Sequence, residues 1–303
     1  MSSSDPAFAM TDERKPTTVE APAAAVIPAK KEGTDWWGEV KAIFWLVLAV
    51  LAIHSFIAKP FYIPSESMMP GLLKGDRLVV TKYPYGWSWV SPSFHILPQM
   101  QGRLFGRMPT PGDVVILTPP GETSDYIKRV IAVPGDTVEM VAGQLYINGK
   151  AVKRERRPAV RVPVDENVPC VFGQAQDFRV QGEDGKLYCE LPVVRETLAN
   201  GRSFDTVDLE YNAMVDDVPK ITIPADHVWV MGDNRDKSAD SRVPAAEQGL
   251  GGPVPWENIG GRAEFITFSL DGTTQYLNPV SWFTAFRGGR AGTSLRPAEG
   301  SAR

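Results

Sequence analysis

The side chains that most often carry hydrolytic chemistry are few in this sequence. It holds three histidines: His54 in an apolar run, His95 in an aromatic loop and His227 in a strand-like run. His95 or His227 could complete a Ser-His-Asp triad, because geometry and not chain order defines such a triad. No G-x-S-x-G, P-loop or H-E-x-x-H motif is present, and a structural role is the commoner one for each histidine. A serine hydrolase built from this chain would need another base.

A lysine can be that base if burial lowers its pKa from about 10.4 toward 7–8, since desolvation penalises the ammonium form. Lys128 lies in the strand-like stretch DYIKRVI, where it shares a face with Tyr126 and Val130. Such a face can exclude water from the amine. The ordinary alternative, and the commoner one for a lysine in a strand, is a surface lysine whose stem lies along the protein. The local sequence alone does not overturn it.

The serine that could use this base is Ser67, in the stretch PSESMMP. Pro64 and Pro70 bracket it and stiffen the chain, which favours a preorganised hydroxyl. Met68 and Met69 keep its surroundings apolar, as a neutral lysine requires. In isolation, however, Pro-Ser-Glu-Ser is equally typical of a solvated turn.

The cysteines and acidic residues do not predict a metal site. The two cysteines, Cys170 and Cys189, lack CxxC spacing and nearby histidines. They could form one disulfide outside the reducing cytosol, or remain two thiols. The stretch from Asp236 to Glu247 has partial calcium-loop spacing, but Ser241 stands where the loop needs glycine. We expect no metal ion and no organic cofactor.

One apolar run must anchor these residues. Residues 42–58, AIFWLVLAVLAIHSFIA, carry no formal charge, and as a helix they would span about 26 Å of a ~30 Å hydrocarbon layer. Trp36 and Trp37 precede the run where an interfacial aromatic belt would lie. We predict a transmembrane anchor over 36–58, with a buried core helix or a cleaved signal peptide as the alternatives.

The charges flanking the anchor predict its orientation. Lys30, Lys31 and Lys41 lie on its N-terminal side, while Lys59 alone follows closely. The positive-inside tendency then puts residues 1–35 in the cytoplasm, and their Pro, Ala, Ser and charge content predicts a disordered tail. The chain after the anchor would lie outside the cytoplasm.

The rest of the chain predicts a mainly β fold. Short β-branched and aromatic runs such as DRLVV, GDVVIL and HVWVM are closed by Gly, Pro and Asp turns. We predict a two-lobed antiparallel β catalytic region, with one domain over 59–139 and 222–286, an inserted second lobe over 140–221, and a disordered tail over 287–303. The net charge of −4 gives no basic field for nucleic acid.

Four blocks follow the anchor in a fixed order: IPSESMMP at 63–70, GDVV at 112–115, YIKR with PGD at 126–136, and GDNRDKSADSR at 232–242. This ordered set resembles the bacterial type I signal peptidases over about residues 36–285. The resemblance implies a membrane-bound endopeptidase that removes leader peptides from exported preproteins after small-x-small motifs. It also implies a location in the inner membrane with a single span, and partners that are preproteins and the lipid bilayer.

The resemblance implies roles for individual residues. Ser67 would be the nucleophile and Lys128 the general base. The hydroxyl of Ser65 would join the Ser67 N–H in an oxyanion hole. Ser238 would hydrogen-bond the lysine and hold it in place. Further along, the loop would be supported by a pair that does not touch substrate, Asp240 and Arg242.

Apolar residues around Ser67 would form shallow pockets for the small side chains of the leader, with the leader added as a strand to a sheet edge. These candidates are Phe61, Ile63, Met68, Leu72, Tyr126 and Ile127. The ordinary alternative for each is a place in the core. The aromatic loop from Tyr83 to Trp89 could contact the lipid interface or pack under the second lobe.

Three positions depart from the family pattern: Gly71 where Thr is common, Glu66 where Gly is common, and Lys237 where Asn is usual. None removes a catalytic group, so the departures bear on specificity and pH optimum. Two competing functions remain besides a specialised protease of the same superfamily. One is a tethered binding module with a vestigial site, and the other is a self-cleaving regulator, for which residues 1–35 offer no DNA-binding helix-turn-helix.

Overall fold

The structure is a computed structural model, and it describes residues 35–94, 97–171, 178–275 and 277–299. The chain divides into two units, Met1–Phe44 and Trp45–Arg303. Residues 1–34 of the tail predicted over 1–35, residues 300–303 of the tail predicted over 287–303, and the loop residue His95 lie outside the described residues. Helix α1 runs over Trp36–Phe56, α2 over Ala213–Asp216 and α3 over Pro279–Thr284, with single 3₁₀ turns at Tyr83–Tyr85, Ala245–Glu247 and Trp256–Asn258.

The strands, in chain order, are β1 (Ala58–Tyr62), β2 (Asp76–Thr81), β3 (Val114–Leu117), β4 (Tyr126–Ala132), β5 (Thr137–Val141), β6 (Gln144–Ile147), β7 (Lys150–Ala151), β8 (Lys153–Pro163), β9 (Arg179–Gln181), β10 (Leu187–Thr197), β11 (Arg202–Thr206), β12 (Val218–Thr222), β13 (His227–Met231), β14 (Val254–Pro255), β15 (Ile259–Ser269) and β16 (Ala298–Glu299). Their ladders are antiparallel throughout the described residues. The mainly β prediction is confirmed.

Helix α1 is apolar on all sides. Its 21 residues make a rod of about 32 Å, long enough for the hydrocarbon core of a bilayer. None of its residues is buried, which does not fit the alternative of a soluble core helix. Among the described residues it is the one helix long and apolar enough to cross a membrane.

The largest sheet has seven strands in the order β1-β2-β15-β3-β4-β13-β14. Its central strand β3 is buried along its whole length, because alternate side chains enter two different cores. Val114 and Ile116 pack on one face with Leu78 and Ile127. Val115 and Leu117 pack on the other face with apolar side chains of β4 and β13. This sheet brings together strands from 58–132 and from 227–269.

Two smaller sheets are built mainly from the chain between β5 and β12, which we call the second region (137–222). One sheet has the order β12-β5-β6-β7, and the other has the order β16-β11-β10-β8 with β9 paired to β10. The strands begin and end close to the limits predicted for the inserted lobe, 140 and 221. The division of the body into two lobes stays a prediction.

The two cysteines are joined in a disulfide between Cys170 and Cys189. Both are buried, and they pack in a core with Val162 and Leu191 of the second region and with Leu73. This settles the alternative that the sequence left open in favour of the disulfide.

The prediction of a disordered tail over 287–303 is wrong for residues 287–299, which we call the C-terminal segment. Its Leu295 is buried in the core beside β2 and β3, and β16 pairs with β11. Arg287 and Arg290 form ion pairs with Asp165 and Asp76. A Gly- and Arg-rich composition predicts little burial, but charge-assisted hydrogen bonds to buried carboxylates can offset the entropy of ordering such a chain.

The aromatic loop is partly core. Tyr85 and Trp89 are buried, and the phenol of Tyr85 donates to Asp113 at 2.7 Å. Trp87 instead donates its indole N–H to the carbonyl of Phe56, the last residue of α1. The loop therefore packs against the main sheet at one end and against the end of the helix at the other.

Candidate active site

Ser67 lies in the loop between β1 and β2, residues 63–75, which we call the nucleophile loop. Apolar side chains from this loop enter two separate cores. Met68 and Leu72 pack with the main sheet, while Met69 and Leu73 pack with the disulfide core of the second region. Because side chains of this loop are buried in two cores, we expect its backbone to be rigid. Ser67 itself is only 5% exposed.

Lys128 occupies the middle of β4, opposite Val115 of β3. Its Nζ lies 3.2 Å from Oγ of Ser67 and donates to the carbonyl of Ile127 at 3.0 Å. The amine also lies 5.4 Å from the ring centroid of Tyr126, so the two side chains share a face of the strand, as predicted. Lys128 is 4% exposed, which does not fit the alternative of a surface lysine.

Burial lowers the pKa of Lys128 to about 8, because the ammonium form is poorly solvated there. Asp240 opposes this shift, Arg242 adds to it and Asp233 opposes it more weakly. With a pKa near 8, about a tenth of the molecules hold a neutral amine at pH 7. That amine can accept a proton from a hydroxyl at hydrogen-bond distance.

Ser65 is the second hydroxyl at the site. Its Oγ lies 3.3 Å from Oγ of Ser67, and either atom could be the donor. Unlike Ser67 it is exposed, so its hydroxyl is available to a bound molecule. An oxyanion hole needs a donor near the oxygen of the carbonyl that is attacked, and a hydroxyl beside Ser67 could reach that position. The role itself stays a prediction.

The loop 232–242 lies behind the nucleophile. The backbone N–H of Asn234 donates to the carbonyl of Ser67 at 3.0 Å. Asp240 accepts from the N–H of Gly232 and from Nε of Arg242, both at 2.9 Å. Burial alone would raise the pKa of Asp240, but Arg242 and these hydrogen bonds hold it below the usual value. Asp240 and Arg242 are wholly interior, as expected of a pair that supports the loop.

The predicted hydrogen bond between Ser238 and Lys128 is not formed in the part of the chain that the structure describes. Ser238 is buried and sits against Gly232, where a Cβ would lie 2.2 Å from the Ser238 hydroxyl and 2.5 Å from the Ser67 carbonyl. The amine of Lys128 instead lies within hydrogen-bond distance of the Ser67 hydroxyl and the carbonyl of Ile127. Ser238 therefore contacts the backbone that holds the dyad.

A groove of about 330 Å³ opens over Ser67 and Lys128. The nucleophile side of the groove carries Phe61 and Ser65, and β4 with the chain before it forms the opposite side. Of the predicted pocket residues, Phe61, Tyr126 and Ile127 line the groove. The others do not line the groove and are fully buried in the core of the main sheet: Ile63, Met68 and Leu72. His227 does not line the groove, and its ring contacts the carbonyl of Ala225.

Two features of the site had weak signals in the sequence. Arg129, next to Lys128, forms a buried two-pronged pair with Asp233 at 2.7 and 2.6 Å, and both residues lie in the quoted blocks. The departures Glu66 and Lys237 pair with each other at 3.2 Å, which places compensating charges at the rim of the groove.

The calcium-like spacing between Asp236 and Glu247 does not form a metal cage. Within the described ranges no group of three or more His, Cys, Asp or Glu side chains is placed to hold a metal ion. Asp240, which lies in that stretch, accepts hydrogen bonds from Gly232 and Arg242.

Comparison with known proteins gives consistent results. The family model described as "Signal peptidase, peptidase S26" matches residues 36–268. The signal peptidase I of Rickettsia typhi (strain Wilmington) is 34% identical over 239 residues, 76% of this chain and 80% of that protein. The signal peptidase I of Rickettsia conorii (strain Malish 7) is 33% identical over 247 residues, 79% of this chain and 81% of that protein.

A crystal structure of a signal peptidase I from Enterococcus faecalis V583 covers 52% of this chain and 97% of that one, at 22% identity and a TM-score of 0.26. A TM-score this low carries no argument about the fold. The family match and the curated relatives define the chain as a serine peptidase, a hydrolase of peptide bonds. More particularly, the chain belongs to the signal peptidase family, peptidase S26. Membership supports the cleavage of signal peptides from preproteins as its activity.

Proposed function

We propose that the chain removes signal peptides through an acyl-enzyme on Ser67, with Lys128 as the general base. The observation that carries this proposal is the 3.2 Å contact between Nζ of Lys128 and Oγ of Ser67, made by an amine whose pKa burial lowers to about 8. A lysine with a lowered pKa beside a hydroxyl is a recognised way to activate a nucleophile.

The chemical steps follow from this pair. Oγ of Ser67 attacks the carbonyl carbon of the scissile peptide bond while its proton passes to the neutral Nζ of Lys128. The C–N bond then breaks, Lys128 returns the proton to the leaving amine, and the leader remains as an ester on Ser67. Water attacks the ester, Lys128 takes its proton and passes it to Oγ of Ser67, and the leader leaves as a free acid.

The hydroxyl of Ser65 and the backbone N–H of Ser67 would stabilise the oxyanion of each tetrahedral intermediate. The 3.3 Å separation of the two hydroxyls supports this role, because the oxyanion forms on the carbonyl that Ser67 attacks, and a donor beside Ser67 could reach that oxygen. Removal of one such donor typically lowers kcat by about 10²- to 10³-fold.

The groove supports a substrate with small side chains near the cut. Phe61, Tyr126 and Ile127 line it, and side chains of this size leave room for small substrate side chains. An extended leader could lie between the β1 side and the β4 side, with main-chain hydrogen bonds for affinity and small-x-small side chains in the pockets.

We also propose that α1 crosses the inner membrane once, with the N-terminus in the cytoplasm and the peptidase region outside. The disulfide supports a non-reducing compartment for that region. An apolar groove of about 550 Å³, lined partly by Phe56 at the end of α1 and by Trp87 and Trp89, supports contact with the lipid interface.

The orientation can be tested because both natural cysteines are bonded to each other. In Ser4→Cys and Lys150→Cys variants, a membrane-impermeant maleimide added to spheroplasts should label only Lys150→Cys, with both labelled after lysis. Labelling of Ser4→Cys alone before lysis would reverse the orientation.

The activity is tested with purified full-length chain in detergent and a preprotein that carries a small-x-small leader. Wild type should release the leader, and Ser67→Ala and Lys128→Met should lose all measurable turnover. Lys82→Met is the matched control, because Lys82 is also a buried lysine whose pKa is lowered to about 8 but lies outside the groove. Retained activity in Ser67→Ala or Lys128→Met, or binding without turnover by wild type, would overturn the proposal.

A further inference from the structure

The C-terminal segment (287–299) lies beyond the residues that the family model matches, 36–268. It nevertheless contacts the nucleophile loop directly, through two arginines. These contacts are not expected from the composition of the segment, which is rich in glycine and arginine. Its contacts connect it with the position of Ser67.

Of the two arginines, Arg290 contacts the nucleophile loop at the position closer in sequence to Ser67. Its guanidinium forms a two-pronged ion pair with Asp76, with Nε donating to Oδ1 at 2.9 Å. Its Nη2 also donates to the carbonyl of Gly71 at 3.0 Å. Two-pronged pairs of this kind fix orientation as well as distance. Arg290 therefore binds the nucleophile loop at the carbonyl of Gly71, four residues after Ser67.

Asp76 connects Arg290 to the backbone of the nucleophile loop. It is 0% exposed, and its Oδ2 accepts from the backbone N–H of Leu73 at 2.8 Å. One buried carboxylate thus joins the guanidinium of Arg290 to the loop backbone. Without the guanidinium, this carboxylate would be buried with its charge unpaired, which is unfavourable.

Arg287 holds the far end of the same loop. Its Nη1 donates to the carbonyl of Lys74 at 2.8 Å, and its Nε and Nη2 pair with Asp165 of the second region at 2.7 Å each. Gly75, the residue after Lys74, has a φ of +100°, and a Cβ there would lie 2.1 Å from the carbonyl of Leu270. The end of the loop is therefore packed tightly against the chain.

From Gly71 the path to the nucleophile is short. The N–H of Leu72 donates to the carbonyl of Met68 at 2.9 Å, and both side chains lie in the core of the main sheet. A shift of the backbone at Gly71 would therefore move the turn that carries Ser67, whose Oγ is 3.2 Å from Lys128.

We propose that Arg290 is a positioning residue that, through Asp76 and Gly71, holds Oγ of Ser67 within reach of the Lys128 amine. This inference rests on the proposed function of the dyad. A misplacement of about 1 Å at a reacting atom can lower the rate by roughly 10²-fold, so the loss of Arg290 should act on kcat more than on KM. Among the described residues, Arg290 hydrogen-bonds to Asp76 and Gly71, and neither lines the groove over Ser67.

Arg296 provides the matched control on the same segment. It pairs with Glu264 of β15 at 2.8 Å, and its side chain is 61% exposed. Arg296→Ala removes the same type of side chain from the same segment, but within the described residues it removes no hydrogen bond or ion pair to residues 63–76.

The experiment measures preprotein cleavage by the full-length chain in detergent, per folded molecule, with thermal unfolding of each variant in parallel. Arg290→Ala should lower kcat by about 10- to 100-fold with KM changed less than about twofold. Arg290→Lys should recover part of the loss, since lysine keeps the charge but not the two-pronged geometry. Arg296→Ala should match wild type.

A double-mutant cycle tests the route through Asp76. Asp76→Asn should also lower kcat, and Arg290→Ala with Asp76→Asn should be little worse than the worse single variant, because the two residues act as one unit. If the effects on kcat multiply, Asp76 does not carry the connection.

The inference is overturned if folded Arg290→Ala has the kcat of Arg296→Ala, or if kcat falls only in proportion to the unfolded fraction. If Arg290→Ala does not fold, Arg290→Lys decides, and a wild-type kcat in that variant overturns the inference. Failure of wild type to cleave would instead overturn the proposed function, so the two failures are distinguishable.

Discussion

Lys128 combines the chemistry of the site with a penalty in stability. Its amine is buried beside Ser67, and desolvation lowers its pKa from 10.5 to about 8. A shift of this size corresponds to roughly 3 kcal/mol. The folded state binds its proton less tightly than the unfolded state, so below pH 8, where both are protonated, the whole penalty is present. It disappears as the pH rises from about 8 to 10.5, because the folded state loses its proton first.

Lys128→Met should therefore stabilise the protein while it abolishes activity, because methionine has a similar length and no charge to bury. We expect the free energy of unfolding at pH 7 to rise by roughly 2–3 kcal/mol, with a smaller gain at pH 10. Denaturant unfolding of wild type and variant at both pH values measures this. A variant that is less stable at pH 7, or equally stabilised at both values, would contradict the assigned pKa.

Gly232 tests the close packing behind the dyad. A Cβ there would lie 2.2 Å from the Ser238 hydroxyl and 2.5 Å from the Ser67 carbonyl, so Gly232→Ala must displace one of them. We expect kcat to fall by about 10²-fold. Gly260→Ala is the control, since its Cβ would come no nearer than 3.7 Å to another atom. Equal cleavage rates for the two variants would show that the packing does not position Ser67.

At the scale of elements, features that depend on local sequence patterns were easier to predict than features that depend on long-range contacts. The apolar run of α1 and the alternation of β4 are visible within a few residues, and the structure has both. The fate of Ile63, Met68 and Leu72 was not predictable, because an apolar side chain near a serine can line a groove or lie beneath it. All three lie in a core with side chains of β2, β3, β4 and β15, which are distant in the sequence.

The disulfide element can be tested by its effect on stability. Cys170 and Cys189 are 19 residues apart, and closing a loop of this size stabilises a protein by about 3 kcal/mol. The double variant with Cys170→Ala and Cys189→Ala should lose about that much, and thermal unfolding should show it.

Reductant serves as the control for that measurement. The double variant should unfold at the same temperature with and without dithiothreitol, whereas wild type should become less stable once reduced. A wild type that is as stable as the double variant without reductant would contradict a formed disulfide.

At the scale of the whole molecule, a buried ion pair connects the second region to the loop 232–242. Arg235 of that loop donates to Glu196 of β10 at 2.7 Å, and Glu196 is 0% exposed. The partners are 39 residues apart, and those of the Arg290–Asp76 pair are 214 apart. Sequence reasoning found the blocks that hold Arg235 and Arg242, but it could not find such partners, because neither spacing nor periodicity connects them. The same limit explains the wrong prediction of a disordered tail from residue 287.

The Arg235–Glu196 pair gives a prediction with a control on the same strand. Removal of one partner from a buried pair typically costs about 3–5 kcal/mol, since the other charge stays buried. Glu196→Ala should therefore lower the free energy of unfolding by that amount. Glu190→Ala breaks an ion pair with Arg161 whose side chains are 34% and 58% exposed, and it should change stability by less than about 1 kcal/mol.

Denaturant unfolding of the two variants beside wild type measures the difference. Equal losses for Glu196→Ala and Glu190→Ala would mean that the buried pair does not hold the second region to the loop.

The central claim is that the neutral amine of Lys128 activates Ser67, and the pH dependence of kcat/KM for leader cleavage tests it most directly. Because only the neutral amine accepts the proton, kcat/KM should rise with pH and reach half its maximum near the pKa of about 8. A profile that is flat between pH 6 and 9, or one whose midpoint lies near 10.5, would contradict it.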